Sequence, residues 1–150
     1  MLAGWILLTF LAPTIGAGSL PGEWFAGLNK PSWNPPSALF GPVWTLLYIL
    51  MAVAAWRVWR QGGWRTQRRP LTFYLIQLAL NAFWTPLFFG WHLPGVAFGE
   101  IILLWVAIVI TLVAFSKVER PATWLLVPYL AWVSFAAVLN LSIWRLNPPL

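Results

Sequence analysis

From residue 2 to residue 20 the chain carries no charge, and the run is as long as the roughly 20 apolar residues that a membrane-spanning helix needs. Four similar runs follow, over residues 39–56, 71–91, 96–115 and 122–144, and Glu100 is the only charged residue in any of them. A water-soluble domain carries about a quarter charged residues, whereas this 150-residue chain is 61% hydrophobic and 8% charged. A chain this short has too little interior to hide that much apolar surface from water. The expected fold is therefore all-α, an integral membrane bundle of five transmembrane helices forming one domain over residues 1–150. A signal peptide is the alternative for the first run. It lacks a basic leading segment and exceeds the usual apolar length, so it is read as a span.

Proline and charge punctuate the runs. Pro42, Pro70 and Pro121 stand where the second, third and fifth spans begin, positions at which a missing N–H is harmless. Arg57, Arg60, Arg65, Arg68 and Arg69 fall between the second and third spans, and Lys117 and Arg120 between the fourth and fifth. Only Lys30 and Arg145 fall on the other side. By the positive-inside rule the N-terminus is cytoplasmic, and the C-terminus lies on the outer face with the first loop, "NKPSWNPP", and the short loop "WHLPG". The net charge of +6 is thus read as membrane topology, and no nucleic-acid partner is expected.

Within the spans, helical spacing collects polar and aromatic side chains onto three stripes: Trp44, Tyr48, Met51, Ala55; Tyr74, Gln77, Asn81, Thr85; and Tyr129, Trp132, Ala136, Asn140. Lipid cannot hydrogen-bond to amides and hydroxyls, so these stripes should face protein or a cavity. Two readings stand. The polar groups tie helices together, or the stripes converge on an aromatic pocket for a flat, mostly apolar molecule. Trp56, Trp59, Trp64, Trp91, Trp124 and Trp144 lie near span ends, as interfacial belts require. Glu100 sits shallow in the fourth span, open to an interfacial role or to a proton or ligand role. Gly95 and Gly99 have the spacing that lets helices approach closely, including in a homodimer.

Conventional catalysis is not expected. The chain has no cysteine and a single histidine, His92, and its acids Glu23, Glu100 and Glu119 are dispersed. No phosphate-cradling Gly-rich loop with lysine occurs, so ATP-driven pumping is not indicated.

The segments "KPSWNPP", "FGPVWTLLY", "QLALNAFWTPLFFG" and "PYLAWVSFAAVLNLSIWRLN" strongly resemble the TspO/MBR family, which includes bacterial tryptophan-rich sensory proteins and the mitochondrial peripheral benzodiazepine receptor. The resemblance covers nearly the whole chain. It implies a five-helix bundle, commonly dimeric, with a ligand cavity beneath the first loop, binding porphyrins such as protoporphyrin IX or heme as ligands, and PK11195 or benzodiazepines. No cofactor is required. The positions that match the family's ligand-binding residues are Trp33, Pro35, Trp44, Tyr48, Asn81, Trp84, Trp132, Ala136, Leu139 and Asn140. The resemblance also associates Trp44 and Trp132 with light- and oxygen-dependent porphyrin degradation.

Leu141 stands where animal members carry the tyrosine of a proposed cholesterol motif, so tight sterol recognition is not expected and a bacterial membrane role with tetrapyrroles is. The expected function is a membrane binding protein or sensor regulating tetrapyrrole level or trafficking. A transporter of porphyrins or other lipophilic molecules is the alternative, although no inverted repeat supports it. The prolines of "NKPSWNPP" suit a semi-rigid lid over the cavity, with an interfacial anchor turn as the other reading.

Overall fold

The computed structural model describes residues 2–16 and 23–147, which are almost entirely helical. Their helices are α1 (Leu2–Thr9), α2 (Leu11–Gly16), α3 (Glu23–Ala26), α4 (Phe40–Trp59), α5 (Gly63–Thr85), α6 (Pro94–Ser116) and α7 (Arg120–Leu146). A 3₁₀ turn, Ser37–Leu39, leads into α4, and a π-helical turn, Pro86–Gly90, extends α5. Four of these elements, α4, α5 with its extension, α6 and α7, are long and apolar enough to cross a membrane. The fold is an all-α membrane bundle.

The first segment departs from the single span expected over residues 2–20. Its helix stops at Thr9 and restarts at Leu11, and Pro13 supplies the reason. Pro13 has no N–H for the Thr9 carbonyl, and its ring crowds that carbonyl. The apolar stretch Leu2–Ile15 is the described part of this segment, and residues 17–20 of the expected span lie outside the described residues. The third span also begins earlier than expected. Gly62 and Gly63, with φ of +117° and +73°, turn the chain directly into α5, so Pro70 lies inside the helix rather than at its start. The helix yields three residues before that proline, at Gln67 (φ −107°, ψ 29°), where the ring of Pro70 would crowd the Thr66 carbonyl.

The packing order closes a ring. Helix α6 lies between α5 and α7, α7 also packs on α4, α1 packs on α4, and α2 packs on α5. The broken first segment thus packs against both α4 and α5, which also meet each other directly. Lipid is as apolar as leucine, so close packing rather than water exclusion holds such helices together. Helix α4 accordingly presents Met51, Ala52, Ala54 and Ala55, all fully buried, where small side chains let backbones approach. Gly95 on α6 serves the same end. A Cβ there would lie 2.9 Å from the Trp144 ring of α7, so this glycine is required by packing within the chain, while Gly99 faces open space. Thr9 and Tyr74 share a buried hydrogen bond at 2.6 Å, fastening α1 to α5.

Both ends of the bundle are cross-linked. At one end Arg57 pairs with Glu119, joining the α4–α5 turn to the α6–α7 turn. At the other, the Asn29 N–H donates to Asn147 Oδ1 at 2.8 Å and Asn147 Nδ2 donates to the Asn29 carbonyl at 2.7 Å. His92, in the left-handed region at φ 56°, stacks on Trp24 with 4.2 Å between ring centres. The first loop, the "WHLPG" turn and the end of α7 therefore lie together, as the order of the spans implies.

Candidate ligand-binding site

Two adjoining cavities open inside the end of the bundle that carries the first loop. One, of about 140 Å³, is lined by Phe25, Phe40, Trp44, Trp84, Thr85, Phe88, Phe89, Trp132, Phe135, Ala136, Leu139, Asn140 and Ile143. The other, of about 200 Å³, is lined by Pro13, Phe40, Gly41, Trp44, Tyr48, Asn81, Trp84, Thr85, Ile101, Leu104, Val133 and Ala136. Phe40, Trp44, Trp84, Thr85 and Ala136 belong to both walls. Among the described residues no charged side chain lines either cavity.

Helical spacing explains most of the wall. On α4, Phe40, Trp44 and Tyr48 recur every four residues and face the same side. On α7, Trp132, Ala136, Leu139, Asn140 and Ile143 follow the same rule. Trp44 stacks on Tyr48 at 5.5 Å and meets Trp132 edge-on at 6.4 Å, with 89° between the planes. Trp84 stacks on Phe88 at 5.1 Å.

Phe88 and Phe89 reach the cavity by another route. Pro86 cannot donate to the carbonyl a turn behind it, and the chain widens into the π-helical turn, closed by the Trp91 N–H on the Pro86 carbonyl at 2.8 Å. Both phenylalanines of this turn enter one wall, as the consecutive pairs Phe135–Ala136 and Leu139–Asn140 do on α7. Widened turns of this kind recur at functional sites.

The polar stripe residues are engaged with one another. Tyr48 Oη donates to Asn81 Oδ1 at 2.7 Å, Asn81 Nδ2 to Tyr129 Oη at 2.9 Å, and Tyr129 Oη to Gln77 Oε1 at 2.7 Å. Trp84 Nε1 donates to Asn140 Oδ1 at 2.9 Å, and Asn140 Nδ2 to the Pro94 carbonyl at 2.8 Å. Helix glue and cavity wall are thus one set of residues. The indole N–H groups of Trp44 and Trp132 have no hydrogen-bond partner among the described residues. Among the described residues the buried side-chain polar atoms without a partner are Asn34 Oδ1, Gln77 Nε2 and both carboxylate oxygens of Glu100, so the Glu100 carboxylate is held inside the protein rather than at a headgroup.

Of the residues singled out from the sequence, Trp44, Trp84 and Ala136 line both cavities, Tyr48 and Asn81 the larger, and Trp132, Leu139 and Asn140 the smaller. Trp33 and Pro35 line neither. Trp33 instead lays its ring edge-on against Phe135 at 5.6 Å, covering a wall residue from outside while staying 45% exposed. Phe25, Phe40, Phe88, Phe89, Phe135 and Ile143 were not anticipated. Phe135 sits three residues past Trp132 and Phe40 four before Trp44, so spacing could have found those two. Among the described residues no group of His, Cys, Asp and Glu side chains could hold a metal ion.

The sequence model of the TspO/MBR family matches residues 3–145, the span over which these walls are built. The chain belongs to the TspO/MBR family. It is 47% identical to the tryptophan-rich protein TspO of Chlorobaculum tepidum, over 85% of this chain and 82% of that one. It is 43% identical to the tryptophan-rich sensory protein of Cereibacter sphaeroides, over 95% and 91% of the two chains. With the human translocator protein it shares 42% identity over 96% and 88%. Family membership and the four long apolar helices make this TspO/MBR chain a multi-pass membrane protein.

Proposed function

We propose that this protein is a membrane sensor that binds a porphyrin of the protoporphyrin IX class, or a flat synthetic ligand such as PK11195, between Trp44, Trp84 and Trp132. The observation that carries this reading is a pair of ring-lined cavities that share Phe40, Trp44, Trp84, Thr85 and Ala136 in their walls. Pockets for drug-sized ligands occupy about 300–1,000 Å³, more than either cavity alone. A porphyrin therefore binds by joining the two. Both rings have aromatic neighbours, but Trp84 is also hydrogen-bonded to Asn140, whereas the Trp44 indole N–H has no partner among the described residues, so in this reading Trp44 is the wall that moves. Its freed N–H, with that of Trp132, then offers a donor to the ligand's polar edge. The basic end of the bundle is the cytoplasmic end in this reading. The test is a titration of the detergent-solubilised protein with protoporphyrin IX. A saturable spectral shift supports the reading, and a linear, unsaturable one overturns it.

Light- and oxygen-dependent breakdown of the bound porphyrin is a second reading, favoured by the perpendicular contact of Trp44 and Trp132 on the cavity wall. Two oxidisable rings then flank the ligand directly.

The first loop acts as a lid in this scheme. Asn29 and Asn147 clasp its start to the end of α7, Lys30 Nζ donates to the carbonyls of Phe25, Ala26 and Leu28, and Trp33 covers Phe135. Replacing residues 29–36 with a Gly/Ser sequence should raise the porphyrin dissociation rate, measured by stopped-flow, by about tenfold or more, since each of its three prolines restrains the loop by about 0.4–1 kcal/mol. An unchanged rate would make the loop a plain turn.

A further inference from the structure

The end of the bundle away from the cavities carries positive charge that the protein does not neutralise. Arg57 and Arg60 close α4, Arg65, Arg68 and Arg69 fall in the first turns of α5, and Lys117 and Arg120 occupy the α6–α7 turn. Glu119 is the one acid at this end, and it is already held by Arg57 and by Gln61 Nε2 at 3.0 Å. The Arg60 guanidinium lies 4.8 Å over the Trp56 ring and that of Arg69 5.9 Å over Phe73. Arg65 and Arg68 are exposed, and their guanidinium groups have no partner among the described residues.

The backbone gathers these groups. The two left-handed glycines reverse the chain, and Gln67 Nε2 donates to the Gln61 carbonyl at 2.8 Å, pinning the turn before the helix straightens past Pro70. Gly63–Thr66 is thereby one helical turn set off from the rest of α5 by the break at Gln67. Trp64, in that turn beside Arg65, is 41% exposed. Tryptophan favours the headgroup level of a bilayer, and so does arginine at the end of a span.

We propose that this face is a binding site for anionic lipid headgroups, with Arg65, Arg68 and Arg69 at its centre and Arg60, Lys117 and Arg120 around them. The partner is lipid because the cations sit at the ends of spanning helices within an aromatic belt, where the leaflet's phosphates are the nearest dense anions. Each such cation strengthens association with an anionic surface by on the order of fivefold. Arg57 is outside the site, since its charge is taken by Glu119.

The experiment places the full chain in nanodiscs of mixed phosphatidylglycerol and phosphatidylcholine and counts retained lipids by native mass spectrometry. The wild type should retain phosphatidylglycerol several-fold over phosphatidylcholine, and high salt should abolish the preference. Arg65→Gln/Arg68→Gln, which removes no contact within the protein, should cut the preference severalfold, and adding Arg69→Gln should cut it further, leaving what Arg60, Lys117 and Arg120 supply. Arg65→Lys/Arg68→Lys/Arg69→Lys and Lys30→Gln/Arg145→Gln should keep it. No preference in the wild type, an undiminished preference in the double glutamine variant, or loss in Lys30→Gln/Arg145→Gln would each overturn the proposal. Removal of the preference by millimolar inorganic phosphate would also overturn it, by making the site one for free anions.

Discussion

Trp44→Phe/Trp132→Phe should bind protoporphyrin IX about tenfold to a hundredfold more weakly than the wild type, because each indole contributes an aromatic contact of about 0.5–1.5 kcal/mol beyond its area. The readout must be the midpoint of the porphyrin absorbance shift. Fluorescence amplitude alone would fall simply because two of the 13 tryptophans are gone. Trp91→Phe/Trp124→Phe is the matched control, since both rings are exposed, at 64% and 71%, and line neither cavity. Equal weakening in the two double variants would point to a general effect of lost aromatic surface. Unchanged affinity in Trp44→Phe/Trp132→Phe would remove these walls from the site. Under illumination in air, the same variant decides the breakdown reading. A porphyrin product that forms as fast as with the wild type, or without protein, would exclude a tryptophan role in the chemistry.

Much of this site is legible in the sequence, for a physical reason. A bilayer forces the backbone into helices, so side-chain spacing alone sorts Trp44, Tyr48, Asn81, Trp132 and Asn140 onto inward faces. What spacing does not convey is departure from regular pitch. Phe88 and Phe89 lie on the widened turn after Pro86, where regular helical spacing no longer tells which side chains face inward. The break of the first segment at Phe10 has the same kind of origin, in Pro13, and an apolar run read for length alone passes over it. Pro70 misleads in the opposite direction, resembling a helix start although the helix begins at Gly63 and absorbs the proline in a kink. Trp33 shows a further limit. Its loop has no periodicity to read, and the contact with Phe135 depends on where the Asn29–Asn147 clasp sets that loop. The choice between glue and cavity was never a choice between residues. Asn81 and Asn140 satisfy each other's neighbouring helices and wall the cavities at once, because a polar group at membrane depth must be bonded wherever it also meets a ligand.

That double role makes Asn140→Leu the substitution with the largest expected structural effect. Asn140 joins three elements, accepting from Trp84 Nε1 on α5 and donating to the Pro94 carbonyl at the start of α6, from a buried position on α7. Leucine has nearly the same shape and neither hydrogen-bonding group, so packing is kept while an indole N–H and a carbonyl lose their partner. Within membranes such bonds are worth about 0.6 kcal/mol on average and up to about 1.7. Losing two should destabilise the fold by about 1–3 kcal/mol and lower the thermal midpoint in detergent by several degrees. The effect on binding follows from the same bonds. Trp84, no longer tethered, becomes as free to move as Trp44, so the rigid side of the pocket is lost and porphyrin affinity falls. A double-mutant cycle with Trp84→Phe isolates the link. If the Trp84–Asn140 bond positions the ring, the two substitutions couple by about 0.5–1.7 kcal/mol, and Trp84→Phe weakens binding much less once Asn140 is already leucine. Additive effects on both stability and affinity would show that the bond holds the helices together without setting the cavity wall.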